Sequence, residues 1–128
     1  MKYVYPAIFT EENGQYLVSV PDMKGCHTFG ETLSEAIEMA RDAMAMWLTI
    51  AEDRGEEIPK ASMGLTTESG FVNYIDVDTL EYRKQTDSRA VKKTLSIPSW
   101  LNHQAELSGI NFSNVLQNAL IQQLELNR

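Results

Sequence analysis

The chain has 128 residues, room for one ordinary domain or a small domain with an appendage, and too few for a large enzyme. Its 43% hydrophobic and 23% charged content is that of a globular protein, and no apolar run is long enough to span a bilayer, which excludes a membrane role. A formal net charge of −7 disfavours phosphate as a partner of the whole molecule, but the charge is unevenly divided: residues 1–82 carry five Lys and Arg against fifteen Asp and Glu, a net of −10, and residues 83–128 carry six against three, a net of +3.

An acidic body suits a basic protein partner or a solvated surface, and a mildly basic tail tolerates nucleic acid. The opening "MKYVYPAIFTEENGQ" lacks a signal peptide's apolar core, and the single Cys26 cannot form an internal disulfide, so a cytoplasmic protein is expected.

In chain order, "KYVYPAIFT" and "QYLVSVPD" are rich in β-branched and aromatic residues and flank the polar "EENG". They read as a β-hairpin, Lys2 to Thr10 and Gln15 to Val20, with Gly14 in the turn. Pro6 places the first strand at an edge or at a bulge. "GCHTFG" gives a third short strand. Thr32 and Glu35 then have the spacing of a capping box at the start of a long helix. In that helix Leu33, Ala36, Ile37, Ala40, Ala43, Met44, Trp47, Ile50 and Ala51 form one apolar face, and Gly55 ends it. Met39 and Met46 fall off this stripe, as an adaptable contact surface would. "FVNYIDVD" alternates as a fourth strand, Phe71 to Val77. The fold class is α+β, with residues 1–81 forming a β-β-β-α-β layer of one sheet and one helix. Polar, aperiodic "YRKQTDSRA", residues 82–90, reads as a linker.

Residues 91–128 begin with "VKKTLSI". Val91, Leu95 and Ile97 lie on one side of a strand, with Lys92, Thr94 and Ser96 on the other and Lys93 interrupting the apolar side. Pro98 stops the strand, "SWLNHQAELS" is a helix closed by Gly109, and Asn111 caps a second helix with Val115, Leu116, Ala119, Leu120 and Leu124 as its stripe. A β-α-α unit of this size cannot bury a stable core, and its lone strand lacks a partner. Two copies solve both problems, giving a two-stranded ribbon of the width that enters a DNA major groove.

The tail therefore resembles the ribbon-helix-helix family of DNA-binding dimers, on "KKTLSIP", "LNHQAELSGIN" and "FSNVLQNAL". That resemblance implies an intertwined homodimer, with base reading by Lys92, Thr94 and Ser96 beside Lys93. It also implies a backbone phosphate held at Asn111, Phe112, Ser113 and Asn114. Where that family often carries Arg, this ribbon has lysines.

The body has a resemblance of its own. "YLVSVPDMKGCHTFGETLSEAIEMARDAM" followed by "GEEIP" is similar to the HicB antitoxin family, whose bodies resemble a degraded ribonuclease H fold. This implies a toxin–antitoxin system. The body would occlude a small basic HicA-like toxin that cleaves mRNA, while the tail binds operator DNA and represses its own operon. Tetramer formation is left open. Toxin contact is expected from an exposed strand edge or the Pro21 to Phe29 loop, through Asp22, Met23, Cys26, Thr28 and Phe29.

Catalysis and cofactors are not expected. Asp22, Asp76 and Asp78 could meet around Mg2+, but turn and strand-end preferences account for each. Adjacent Cys26 and His27 cannot both face one tetrahedral site from a strand, so they read as a core cysteine beside an exposed histidine. His103 reads as a surface or interhelix residue rather than a catalyst. The alternative to the antitoxin is a free-standing repressor with a ligand-sensing body, for which no convergent polar cluster is visible.

Overall fold

Asn13 and Gly14 set the first hairpin, with φ of 54° and 78°, the left-handed pair of a two-residue type I′ turn. They join β1 (Lys2–Glu12) to β2 (Gln15–Ser19), paired from Glu12↔Gln15 to Ile8↔Ser19. Then follow β3 (His27–Gly30), α1 (Leu33–Arg54) and β4 (Phe71–Asp78). The computed structural model describes residues 1–126 and divides after Arg89 into two compact units. In the first, the sheet is antiparallel throughout, in the order β3-β2-β1-β4.

Strand β1 is therefore interior, which overturns the edge position, one of the two alternatives expected from Pro6. The closing pair of a two-residue hairpin exchanges both hydrogen bonds, so the even-numbered main-chain groups of β1 point toward β2. Pro6 lies two residues beyond the last pair with β2, at Ile8, so its missing N–H costs no ladder bond.

Alternation puts Tyr5, Ala7, Phe9, Val18, Ile75 and Val77 on the face that packs against α1, all buried. Thr32 caps α1 by accepting from the Glu35 amide at 3.1 Å, and Gly55 closes it, as the sequence predicts. Ala36, Ala40, Met44 and Ala51 are buried, but so are Ala45, Leu48 and Thr49, while Leu33 and Ile50 of the expected stripe are exposed. The buried face is thus rotated toward Ala45 and Leu48, and Met39 and Met46 stay outside it, both exposed.

The stretch expected to be a linker starts as α2 (Thr79–Thr86), a correction to the boundary at residue 82. Asp78 caps it by accepting from the Leu80 amide, Tyr82 packs on the core, and Arg83 is ion-paired to Glu52 and Asp53 of α1. Charge pairing rather than an apolar stripe fixes this helix. The boundary at Arg89 also redraws the charge map. Residues 1–89 carry eight Lys and Arg against sixteen Asp and Glu, a net of −8, which leaves residues 90–128 at +1. Most of the tail's expected basic excess belongs to the acidic unit.

The second unit contains α3 (Ser99–Leu107) and α4 (Phe112–Gln123). Residues 91–97 form no strand within the single chain. A ladder needs a second strand, and this unit offers none. Neither helix has a buried residue.

Candidate protein-binding and DNA-binding surfaces

The turn between β2 and β3 is tied down from three sides. Val20 donates to the Cys26 carbonyl and Cys26 to that of Met23, at 3.1 and 3.0 Å. Asp22 accepts from the Ser62 amide at 2.9 Å and from its hydroxyl, and the Trp47 indole donates to the Lys24 carbonyl at 3.1 Å. Met23 and Cys26 consequently lie in the core, 1% and 6% exposed, where they pack the fold and cannot touch a partner. Burial also pushes the Cys26 thiol up, away from reactivity. Of the five expected toxin contacts, Phe29 is exposed, Thr28 half-buried, and Asp22 half-buried and engaged with Ser62. Phe29 stands opposite Leu17 in the β2–β3 register, and Val4 and Tyr74 share the same open sheet face.

Sequence reasoning missed the groove of about 710 Å3 that wraps the β4 edge between α1 and α2. Its lining includes Glu38, Asp42, Asp76, Asp78 and Glu81, with Lys2 and Arg41 as the cations. The Arg41 guanidinium donates to the Asp76 carboxylate at 3.0 Å and holds its carboxyl below the usual range. Glu38 and Asp42 have no cationic partner among the described residues. Their i, i+4 spacing on α1 was in the sequence, but nothing there placed β4 and α2 beside them.

Asp22, Asp76 and Asp78 do not converge: each is engaged with Ser62, Arg41 or the α2 amino end. Among the described residues no three His, Cys, Asp or Glu are grouped to hold a metal ion.

Helix α2 is locked by a small polar network. Tyr3 donates to Glu52 at 2.8 Å, Arg83 donates to it at 3.0 Å, and Thr79 Oγ1 lies 3.2 Å away. Burial and the Glu52 hydrogen bond push the Tyr3 phenol up to about 12. Burial pushes Glu52 up, but the bonds from Tyr3, Arg83 and Thr79 outweigh it and hold the carboxyl below its ordinary 4.5. A depressed folded value means that Glu52 contributes stability above the unfolded pKa and loses it as the pH falls through the folded one. Glu52→Gln should lower Tm at neutral pH, at a cost of roughly 1–2 kcal/mol, and weaken the loss of stability below about pH 4.5. Thermal melts across that range check it; identical acid limbs in both proteins would show that the network contributes nothing.

In the second unit, Lys92, Lys93, Thr94 and Ser96 are all exposed. Asn111 caps α4 by accepting from the Asn114 amide at 3.0 Å. That bond consumes the Asn114 donor, so the Phe112 and Ser113 amides are the ones left by helix geometry to meet an anion. Phe112 is 43% exposed beside them. His103 is exposed on α3.

Comparison with known proteins agrees with this architecture. The family model "HicB_like antitoxin of bacterial toxin-antitoxin system" matches residues 5–119, and the chain belongs to that family, one of antitoxins rather than enzymes. An uncharacterized 14.9 kDa protein from the rep-hol intergenic region of Haemophilus phage HP1 is 30% identical over 109 residues, 80% of this chain and 79% of its own length. A chain of the toxin–antitoxin complex from Streptococcus pneumoniae superposes with a TM-score of 0.60 at 25% identity, covering 96% of this chain and 99% of that one. The Burkholderia pseudomallei antitoxin HicB shares the fold at 24% identity and a TM-score of 0.50, over 97% and 98% of the two chains. No helix among the described residues is long and apolar enough to cross a membrane.

Proposed function

We propose that the acidic unit binds and occludes a small HicA-like, mRNA-cleaving toxin, and that the tail pairs with that of a second copy as a ribbon-helix-helix dimer that binds operator DNA and represses its own operon. Family membership over residues 5–119 carries the antitoxin half of this reading. A body with a net of −8 complements a basic ribonuclease and competes with RNA for its positive face.

The DNA-binding half rests on the tail's own composition. Eleven large apolar side chains in residues 91–124 are exposed in the single chain, from Ile110 and Leu101 at about two-fifths to Val91 at 85%. An apolar surface of that density on so short a unit marks a covered interface, and a second copy pairing through residues 91–97 covers it in this reading. Pairing Val91–Ile97 across a two-fold axis turns Val91, Leu95 and Ile97 inward and leaves Lys92, Thr94 and Ser96 on the outer side. With a tail net of only +1, affinity depends on those few ribbon contacts and falls with salt.

The double substitution Lys92→Ala, Thr94→Ala is expected to weaken operator binding by 100-fold or more, roughly 1–3 kcal/mol per base contact, while toxin neutralisation stays intact. Gel-shift titration on the promoter fragment and growth rescue of toxin-expressing cells give the two readouts. Loss of both activities together would contradict the division of labour between units.

A further inference from the structure

We infer that the groove along β4 is the docking site for an extended, basic segment of the protein partner, an inference that rests on the reading that the acidic unit binds a basic protein. Three independent features meet where the free edge of β4 enters this groove, at Asp76. The first is the open main chain of an edge strand. The odd-numbered residues of β1 bond β4, as the Thr79 amide's bond to the Met1 carbonyl continues, so the groups facing away from the sheet belong to Val72, Tyr74 and Asp76. Among the described residues only the Asp76 carbonyl has a partner.

That partner is the second feature. Arg41 Nε donates to the Asp76 carbonyl at 2.9 Å while its Nη2 reaches the Asp76 carboxylate at 3.0 Å. The chain's own guanidinium thus shows that an arginine at this edge satisfies main chain and carboxylate together. An incoming strand would bond the free main-chain groups of Tyr74 and Val72 and bring its cationic side chains to the carboxylates of Glu38, Asp42 and Asp78 in the adjoining groove.

Third is the charge of the concavity. Five carboxylates line it against two cations, and Glu38 and Asp42 await a counter-charge on the solvent face of α1. Tyr3, Val4 and Tyr82 give the same groove apolar walls for the alternate side chains of a strand. A second copy of this unit brings another net of −8 and is repelled, and phosphate is repelled likewise. The open face around Phe29 has apolar surface but no such charge.

The test is an NMR titration of the full-length, isotope-labelled protein with a nine-residue peptide of alternating arginine and valine, and with its glutamate–valine counterpart. The expected result is movement of the Val72, Tyr74 and Asp76 amides by the basic peptide alone. Its affinity should fall roughly tenfold in Glu38→Gln, Asp42→Asn and again at high salt, with Tm unchanged because both carboxylates are exposed and unpaired. Movement centred on Leu17 and Phe29, equal binding of the acidic peptide, or unaltered affinity in the double variant would overturn the inference. A binding assay with a catalytically silenced HicA-like toxin separates this inference from the reading beneath it. Toxin bound by wild type and lost by the double variant supports both. Toxin bound equally by the two overturns the groove and leaves the antitoxin reading standing. Toxin bound by neither overturns the antitoxin reading, and the peptide titration then decides the groove alone.

Discussion

Gly70→Ala should unfold the acidic unit under conditions in which most surface substitutions are silent. Gly70 has φ +87°, and a Cβ there would lie 1.9 Å from the Phe9 carbonyl oxygen and 2.9 Å from its carbon. Side-chain repacking cannot relieve this, because the obstruction is the backbone of the central strand. Either β4 moves away from β1 or Gly70 leaves the left-handed region, and both break the Phe9↔Phe71 pair that opens the β1–β4 ladder. The stacked rings of those residues, 5.2 Å apart, go with it. A cost of roughly 3–5 kcal/mol is expected, a large share of a small domain's stability. On this chain that corresponds to a Tm fall of about 15 °C or more. Gly64→Ala is the control: φ is +69°, but its Cβ would meet nothing within 4 Å, so a cost near 1 kcal/mol is expected. Calorimetric melts of the two variants compare strain with strain plus collision; equal Tm values would show that the strand end yields freely.

The contrast between these two glycines indicates what was readable in the sequence. The strands and α1 were legible because each carries its signal locally: β-branched and aromatic residues in β1, alternation in β4, Gly14 in the turn, the Thr32 cap. Helix α2 carries no such signal. Its Thr79–Thr86 segment is polar and is held by Glu52 and Asp53, about thirty residues away, through Arg83. The Pro21–Phe29 stretch misled in the opposite sense. Its glycine and charged residues look like a surface loop, yet hydrogen bonds among Val20, Met23 and Cys26 curl it so that Met23 turns inward beside Cys26, whose reading as a core cysteine holds while its reading as a toxin contact does not. The groove at β4 was invisible for a related reason, since it exists only once three segments distant in sequence are folded together. In the tail the helices and the Asn111 cap were legible, and the ribbon was legible only as a pattern. In the proposed ribbon-helix-helix reading, its partner strand comes from a second copy.

Leu95→Asp should therefore have its largest effect on assembly. Leu95 is 59% exposed in the single chain, and strand alternation in the proposed ribbon puts it with Val91 and Ile97 on the side that the dimer turns inward. A two-fold axis places both copies of any substituted residue in one interface, so the variant would bury two carboxylates close together with no cation beside them. Each change costs several kcal/mol in such a setting, against an interface whose gain comes from covering apolar side chains at roughly 1.5–3 kcal/mol apiece. The expected result is a monomer at micromolar concentration by light scattering, with operator binding lost and the tail's helical signal melting at lower temperature. Lys92→Ala, Thr94→Ala should leave the dimer intact, since in the proposed ribbon those side chains lie on the outer side. A wild-type chain whose tail melts at the same temperature over a hundredfold dilution would count against the dimer, because stability borrowed from a second copy must depend on its concentration. If Leu95→Asp remains dimeric, the apolar side of residues 91–97 is not the inner face of a ribbon, and the outward assignment of Lys92, Thr94 and Ser96 falls with it.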